Sequence, residues 1–322
     1  MLIVTIMTIM AIACTTLSAP RTLNIASPGA TTFHSVKVGE DTRTFLLHLP
    51  PAAATRRVPL VIVFHGHTGN AEVARNSSQM NSVADSVGMA VVYADGSGRV
   101  RGIGLSWNAG SCCGWAYDHK VDDLAFVDSI RVALARTGRI DSTAIFAAGF
   151  SAGGMLALKV ACERPGVVRG VADLAGAMPN YPCPTTTPVG VLLIRGDDDD
   201  DLREDNAEQR AEGAPPYATS LDSAAAFWER VGRCTGREIR SVQRRRPRTL
   251  VRTRIATGCA PGAAVEIVSI PHHPHAWPGG RSTWWFGQRP STLVNGSALV
   301  LRFFASLLPP SPQTSVPAPH RP

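Results

Sequence analysis

Short apolar runs recur along the chain with helix-period stretches between them, and this alternation limits the possible folds more than any other feature. "TFLLHL" (44–49), "PLVIVFHG" (59–66), "MAVVYAD" (89–95), "AIFAAGF" (144–150), "VVRGVADLAG" (167–176), "VGVLLIRG" (189–196) and "VEIVSI" (265–270) read as strands, several of them apolar on both faces. Helices are expected at 71–87, 152–163, 221–231, 292–307 and 121–136, where Leu124, Val127, Ile130 and Leu134 fall at three- and four-residue steps. Strand and helix in alternation build a mostly parallel sheet covered on both faces, an α/β fold whose functional loops gather at the carboxyl ends of the strands. With 322 residues, 44% of them apolar and 18% charged, one large core suffices. The expected organisation is a leader at 1–20, a single domain at 21–308 and a Pro-rich, disordered tail at 309–322.

The leader "MLIVTIMTIMAIAC" is apolar for about a dozen residues, too short to cross a bilayer of roughly 30 Å as a helix, so it reads as an export signal. Ala11-Ile12-Ala13-Cys14 resembles a lipobox, which makes Cys14 a lipidation candidate, with ordinary cleavage within "TTLSAPRT" as the alternative. The protein is thus expected outside the cell or in the envelope, held to a membrane if Cys14 carries lipid. Six further cysteines (112, 113, 162, 183, 234, 259) are an even number that an oxidising compartment could pair. Cys112 and Cys113 are adjacent, and a trans peptide holds their Cα atoms about 3.8 Å apart, so each is expected to seek a distant partner. The formal charge of +7 is concentrated around "RRRPRTLVRTR" (244–254); without interleaved aromatics this reads as the solvated face of a hairpin, not a nucleic-acid site.

Gly149-Phe150-Ser151-Ala152-Gly153 fits G-x-S-x-G between a strand and a helix, the sharp turn that projects a nucleophilic serine and aims the Ala152 N–H at the same spot. A serine nucleophile needs a base and an acid to orient that base, in the order Ser, Asp or Glu, His, each beyond a strand. "VGVLLIRG" runs into Asp197 to Asp201, and "VEIVSI" runs into "PHHPHAWPGG" (271–280), so both partners stand at strand exits. His65-Gly66-His67-Thr68-Gly69 ends an early strand where a second oxyanion donor belongs; the backbone of His67 is assigned to it, with Thr68 as alternative. Metal binding by His65 and His67, or by His272, His273 and His275, is the weaker reading, because no acidic or sulfur ligand accompanies either cluster at familiar spacing. Asp122 and Asp123 sit where a helix start favours carboxylates and read as structural.

"FHGHTGNA", "SWNAGSCCGWA" with "VDDLAFV", "GFSAGGMLA" with "ACERP", "LAGAM", "FWERVGRC" and "HAWPGG" together resemble the polyhydroxybutyrate depolymerase and feruloyl esterase group of α/β-hydrolases, related to carbohydrate esterase family 1, over residues 35 to 305. The resemblance implies an α/β-hydrolase fold with Ser151 as nucleophile, His275 as base, and Asp199 as acid from the pattern His-Gly-x-x-Asp. Arg195 replaces the usual His of that pattern, and the acidic run leaves Asp198 or Asp200 as other registers. It also implies a Cys234–Cys259 disulfide, pairing of Cys112 or Cys113 with Cys183, and an acyl pocket lined by Trp107, Asn108 and Trp277. The implied activity is carboxylic-ester hydrolysis by a single chain without a cofactor, on hydroxyalkanoate oligomers or feruloyl and acetyl esters. A catalytically silent binding protein, a peptidase and a lipase of the same fold are the rival readings.

Overall fold

Strands that are apolar on both faces need covering twice, and the chain does this by alternating its side chains. On β3 (Val58–Phe64), Leu60, Ile62 and Phe64 enter one core while Val61 and Val63 enter the other; on β7 (Gly190–Gly196), Val191 and Leu193 part from Leu192 and Ile194 in the same way. The computed structural model describes residues 23, 25, 27–178, 182–199, 220–245, 248–282 and 288–309. The leader with Cys14, Asp200 and Asp201, and all of the expected tail except Pro309 lie outside the described residues.

The remaining strands are β1 (Thr31–Val38), β2 (Asp41–His48), β4 (Ala90–Ala94), β5 (Ile140–Phe150), β6 (Gly170–Leu174), β8 (Gly236–Arg245), β9 (Arg248–Thr257) and β10 (Ala264–Ile270). They form one sheet in the order β1-β2-β4-β3-β5-β6-β7-β10-β9-β8. The six strands from β4 to β10 run parallel, and an antiparallel pair flanks them on each side. Helices α4 (Asp123–Ala135), α5 (Ala152–Glu163) and α6 (Leu221–Val231) cover one face; α1 (Ala71–Ser78), α2 (Met80–Val87) and α7 (Gly296–Ser306) cover the other. A short α3 (Gly114–Asp118) lies in the loop after β4. This is an α/β-hydrolase fold, with the carboxyl ends of β3, β5, β7 and β10 at one edge of the sheet.

The predicted helix 71–87 is two helices, because Gln79 takes a left-handed conformation (φ 51°) and its N–H closes the last turn of α1 on Arg75 O. The arginine-rich segment is the β8–β9 hairpin, with Arg237, Arg240 and Arg252 exposed. Asp122 caps α4 through the Ala125 N–H, and Asp123 is buried in an ion pair with Arg43 at 2.8 Å. Cys234 bonds Cys259. Two cysteine expectations need correction. Cys183 pairs with Cys162 on α5, across a Cα separation of 5.1 Å, and not with Cys112 or Cys113. Those two bond each other: the peptide between them is cis, which brings their Cα atoms to 3.1 Å, where the expectation had assumed a trans bond.

Candidate active site

β5 passes into α5 through Ser151, whose backbone stands at φ 54°, ψ −125°, a region that residues with a side chain seldom enter. The turn is tight because its neighbours lack Cβ atoms. A Cβ on Gly149 would collide with the Gly153 carbonyl, and one on Gly153 with the carbonyls of Phe64 and His65 at the end of β3. The Ser151 N–H is tied to Leu174 O at 2.9 Å, so β6 fixes the turn from the other side.

Beyond β7, Asp199 is 3% exposed and accepts from His275 Nδ1 at 2.9 Å (Oδ1) and 3.0 Å (Oδ2). Asp198 is exposed instead and faces His272 at 3.5 Å. The structure therefore joins His275 to Asp199 in the register of the His-Gly-x-x-Asp pattern. The His275 ring packs against Phe150, the residue before Ser151, at 4.8 Å between centroids, and its backbone N–H donates to Gln288 Oε1 at 3.1 Å. With Nδ1 on Asp199, Nε2 is the nitrogen at the opposite edge of the ring.

The loop after β3 closes the third side. His65 Nδ1 bonds Gly66 O at 2.7 Å while its Nε2 accepts from the Gly96 N–H at 3.0 Å, which fixes the tautomer and leaves no lone pair for a metal. Burial pushes its pKa down to about 4, so it is neutral. A Gly69–Gly66 hydrogen bond of 3.0 Å and a positive φ at Thr68 then fold the turn. Neither the His67 nor the Ala152 N–H has an acceptor among the described residues. A Cβ placed on Gly66 would lie 3.4 Å from Ser151 Cβ, so this turn borders the nucleophile candidate directly. His273 is buried, with Nε2 on Ala276 O and Nδ1 accepting from Ser291 N–H; His272, His273 and His275 thus point to three different partners.

A cleft open to solvent is walled by Phe64, Val73, Ala74, Phe150 and Trp277, with His67, His275 and Arg281 among its polar residues. Of the expected pocket residues, Trp277 is in this wall, its Nε1 held by Ser297 Oγ at 3.1 Å. Trp107 and Asn108 are not. Trp107 is fully buried, donating to His65 O at 2.8 Å and packing edge-on to Phe64, so it props the β3 loop from beneath. Asn108 donates to Val121 O at 3.0 Å and its backbone N–H to Asp123 at 2.7 Å, which pins the segment before α4.

Sequence reasoning missed Asp173. This acid in the apolar run of β6 is buried next to Gly154 and Gly176, and burial raises its pKa to about 7 against the pull of Arg195. The signal was present in "VADLAG", a carboxylate where the neighbours are all apolar. Arg195, in place of the usual His, donates to Gly176 O at 2.7 Å and braces the same turn.

The esterase PHB depolymerase profile matches residues 43–186. "Putative esterase NocK" of Nocardia uniformis subsp. tsuyamanensis is 33% identical over 267 residues, 78% of this chain and 75% of that protein. Feruloyl esterase B of Piromyces equi is 25% identical over 72% of this chain and 42% of its own length. Among solved structures, an acetyl xylan esterase from Aspergillus awamori superposes with a TM-score of 0.57 at 12% identity, covering 85% of this chain and 99% of that one. A dienelactone hydrolase-like promiscuous phosphotriesterase, P91, from metagenomic libraries gives 0.56 at 14% identity, with 87% and 99% covered. Both structural likenesses concern the fold.

Proposed function

The chain belongs to the esterase PHB depolymerase family of carboxylic-ester hydrolases, and from that premise we propose that it cleaves its esters through an acyl-enzyme formed on Ser151. One observation carries this reading: a buried carboxylate, Asp199, holds by Nδ1 a histidine, His275, whose ring packs on Phe150, and the next residue is a serine in a strained strand-to-helix turn. His275 Nε2 takes the proton of the Ser151 hydroxyl as its oxygen attacks the ester carbonyl. Asp199 keeps the tautomer that leaves Nε2 basic and stabilises the imidazolium as it forms. The N–H groups of Ala152 and His67 receive the oxyanion; the α5 amino terminus, with its partial positive charge, favours the same atom. His275 returns the proton to the leaving alcohol, then activates the water that releases the acid.

The substrates we assign are hydroxyalkanoate oligomers or feruloyl and acetyl esters, the classes that the names of its family and relatives carry. We place the reaction outside the cytoplasm, since Cys162–Cys183 and Cys234–Cys259 are cross-links that persist in oxidising compartments. A fluorophosphonate probe tests the mechanism: it should label the wild type and not Ser151→Ala. Labelling that survives Ser151→Ala, or none on folded wild type, would sink the Ser151 assignment. Rates on p-nitrophenyl acyl esters, methyl ferulate and a polyhydroxybutyrate suspension rank the substrate classes.

A further inference from the structure

Among the described residues, the cleft beside His275 is lined by apolar side chains and by no carboxylate; apart from three histidines, Arg281 is its ionisable residue there. The Arg281 backbone is fastened to the body of the protein, its N–H donating to Ser77 O at 2.9 Å just after the Gly279–Gly280 turn. Both glycines are required there: a Cβ on Gly280 would strike Ser77 O, and Gly279, at φ 67°, lies against Val294 O. The arginine is therefore delivered to the cleft by rigid backbone. Its guanidinium is on the exposed side of the cleft mouth and has no acidic partner among the described residues, as is true of several other surface arginines; what distinguishes Arg281 is its place in the cleft lining. Asp199, the carboxylate nearest in function, is buried and already engaged by His275.

An uncommitted cation at an apolar cleft selects by charge. A carboxylate gains charge-assisted hydrogen bonds from the planar guanidinium, and a cationic substrate meets repulsion with nothing to offset it. We infer that Arg281 makes this site selective for esters carrying a carboxylate a few atoms from the scissile bond. The inference rests on the cleft beside His275 being where substrate binds. It divides the substrate classes named above: a hydroxyalkanoate oligomer ends in a free carboxylate, whereas methyl ferulate and acetylated sugars have none.

The test compares mono-p-nitrophenyl glutarate with p-nitrophenyl valerate for an acyl-side carboxylate, and the 3-hydroxybutyrate dimer with its methyl ester for an alcohol-side one. In at least one pair, Arg281→Ala should lower kcat/KM on the anionic ester about tenfold, through KM, and change the neutral ester less than about twofold. Arg281→Lys should recover part of the loss, and raised salt should narrow the wild-type preference. Equal losses on both members of each pair, or no loss on either anion, overturn the inference and leave the esterase reading intact. Should neither pair turn over, calorimetric binding of monomethyl glutarate to Ser151→Ala protein decides. Binding abolished by adding Arg281→Ala supports the contact; binding unaffected by it, or absent from the start, overturns it.

Discussion

The carboxyl of Asp173 lies where a Cβ on either Gly154 or Gly176 would collide with it, and its Oδ1 has no hydrogen-bond partner among the described residues. Its pKa of about 7 follows from burial, opposed by Arg195 and by the Gly176 N–H. In the unfolded chain the same group ionises near 3.8, so between about pH 4 and 7 the unfolded state releases a proton that the fold keeps. Asp173 therefore leaves stability undiminished below pH 4, erodes it as pH rises to 7, and costs a constant amount above. Asp173→Asn should gain on the wild type over that window, by on the order of a few kcal/mol at most, in urea titrations run at pH 5 and pH 8. A gap that does not widen between the two pH values rejects the assignment. The exposed and buried members of the acidic run make a second comparison. Asp199→Asn should cut kcat by about 10³ to 10⁴ through loss of the correct imidazole tautomer, and Asp198→Asn by less than about twofold. Equal effects would mean that the acid has been misplaced.

At the scale of elements, α5 is the part on which the site depends, and it is held at both ends. Its first turn touches the carbonyls of Phe64 and His65 through Gly153, and its last turn is stapled by Cys162 to Cys183 in the segment between β6 and β7. Gly153→Ala must push α5 away from β3, separating Ser151 and the Ala152 N–H from the His67 turn; a stability loss of about 1–3 kcal/mol by thermal or urea unfolding, with near-abolished turnover, is expected. Removing the staple acts differently. The Cys162–Cys183 pair spans 21 residues, and Cys162→Ala with Cys183→Ala should cost about 3 kcal/mol while leaving kcat within a few-fold, since the serine turn itself is untouched. The parallel strands and α5 were legible in the sequence because each is a continuous apolar run ending in a turn signal. β1 was not: "TTFHSVKV" is an edge strand whose apolar alternation is confined to Val36 and Val38, with Phe33 out of phase and exposed at 66%. The break at Gln79 was equally hidden, because a left-handed glutamine leaves no mark in hydrophobic periodicity. Ser151 and His275 could be picked out by motif, and Asp199 by register; Trp107 could not be told from a pocket residue until its burial was seen.

For the whole molecule, the open question is what keeps a ten-stranded sheet from adding an eleventh. β8 pairs with β9 alone, so one side of a ten-residue strand stands unpaired among the described elements, and Ile239 (72% exposed) and Val242 (49%) lie on it. Such an edge is a template for another copy unless charge makes docking costly. Here the charge is local. The hairpin segment 236–257 holds eight arginines against one glutamate, as large an excess as the formal +7 of the entire chain. Two hairpins brought edge to edge would set these excesses against each other within a Debye length of about 10 Å at 0.1 M salt. The arginine run, which in the sequence alone reads as the solvated face of a hairpin, thus has a sufficient role as edge protection. Arg240→Val tests this, because it replaces an exposed cation with a β-branched side chain between Ile239 and Val242 and leaves the Arg237 ion pair with the buried Glu229 intact. Light scattering should show concentration-dependent assembly of Arg240→Val at lower protein and lower salt than the wild type, with kcat/KM of the soluble fraction unchanged within about twofold. Scattering that matches the wild type across both series would remove charge as the guard of this edge.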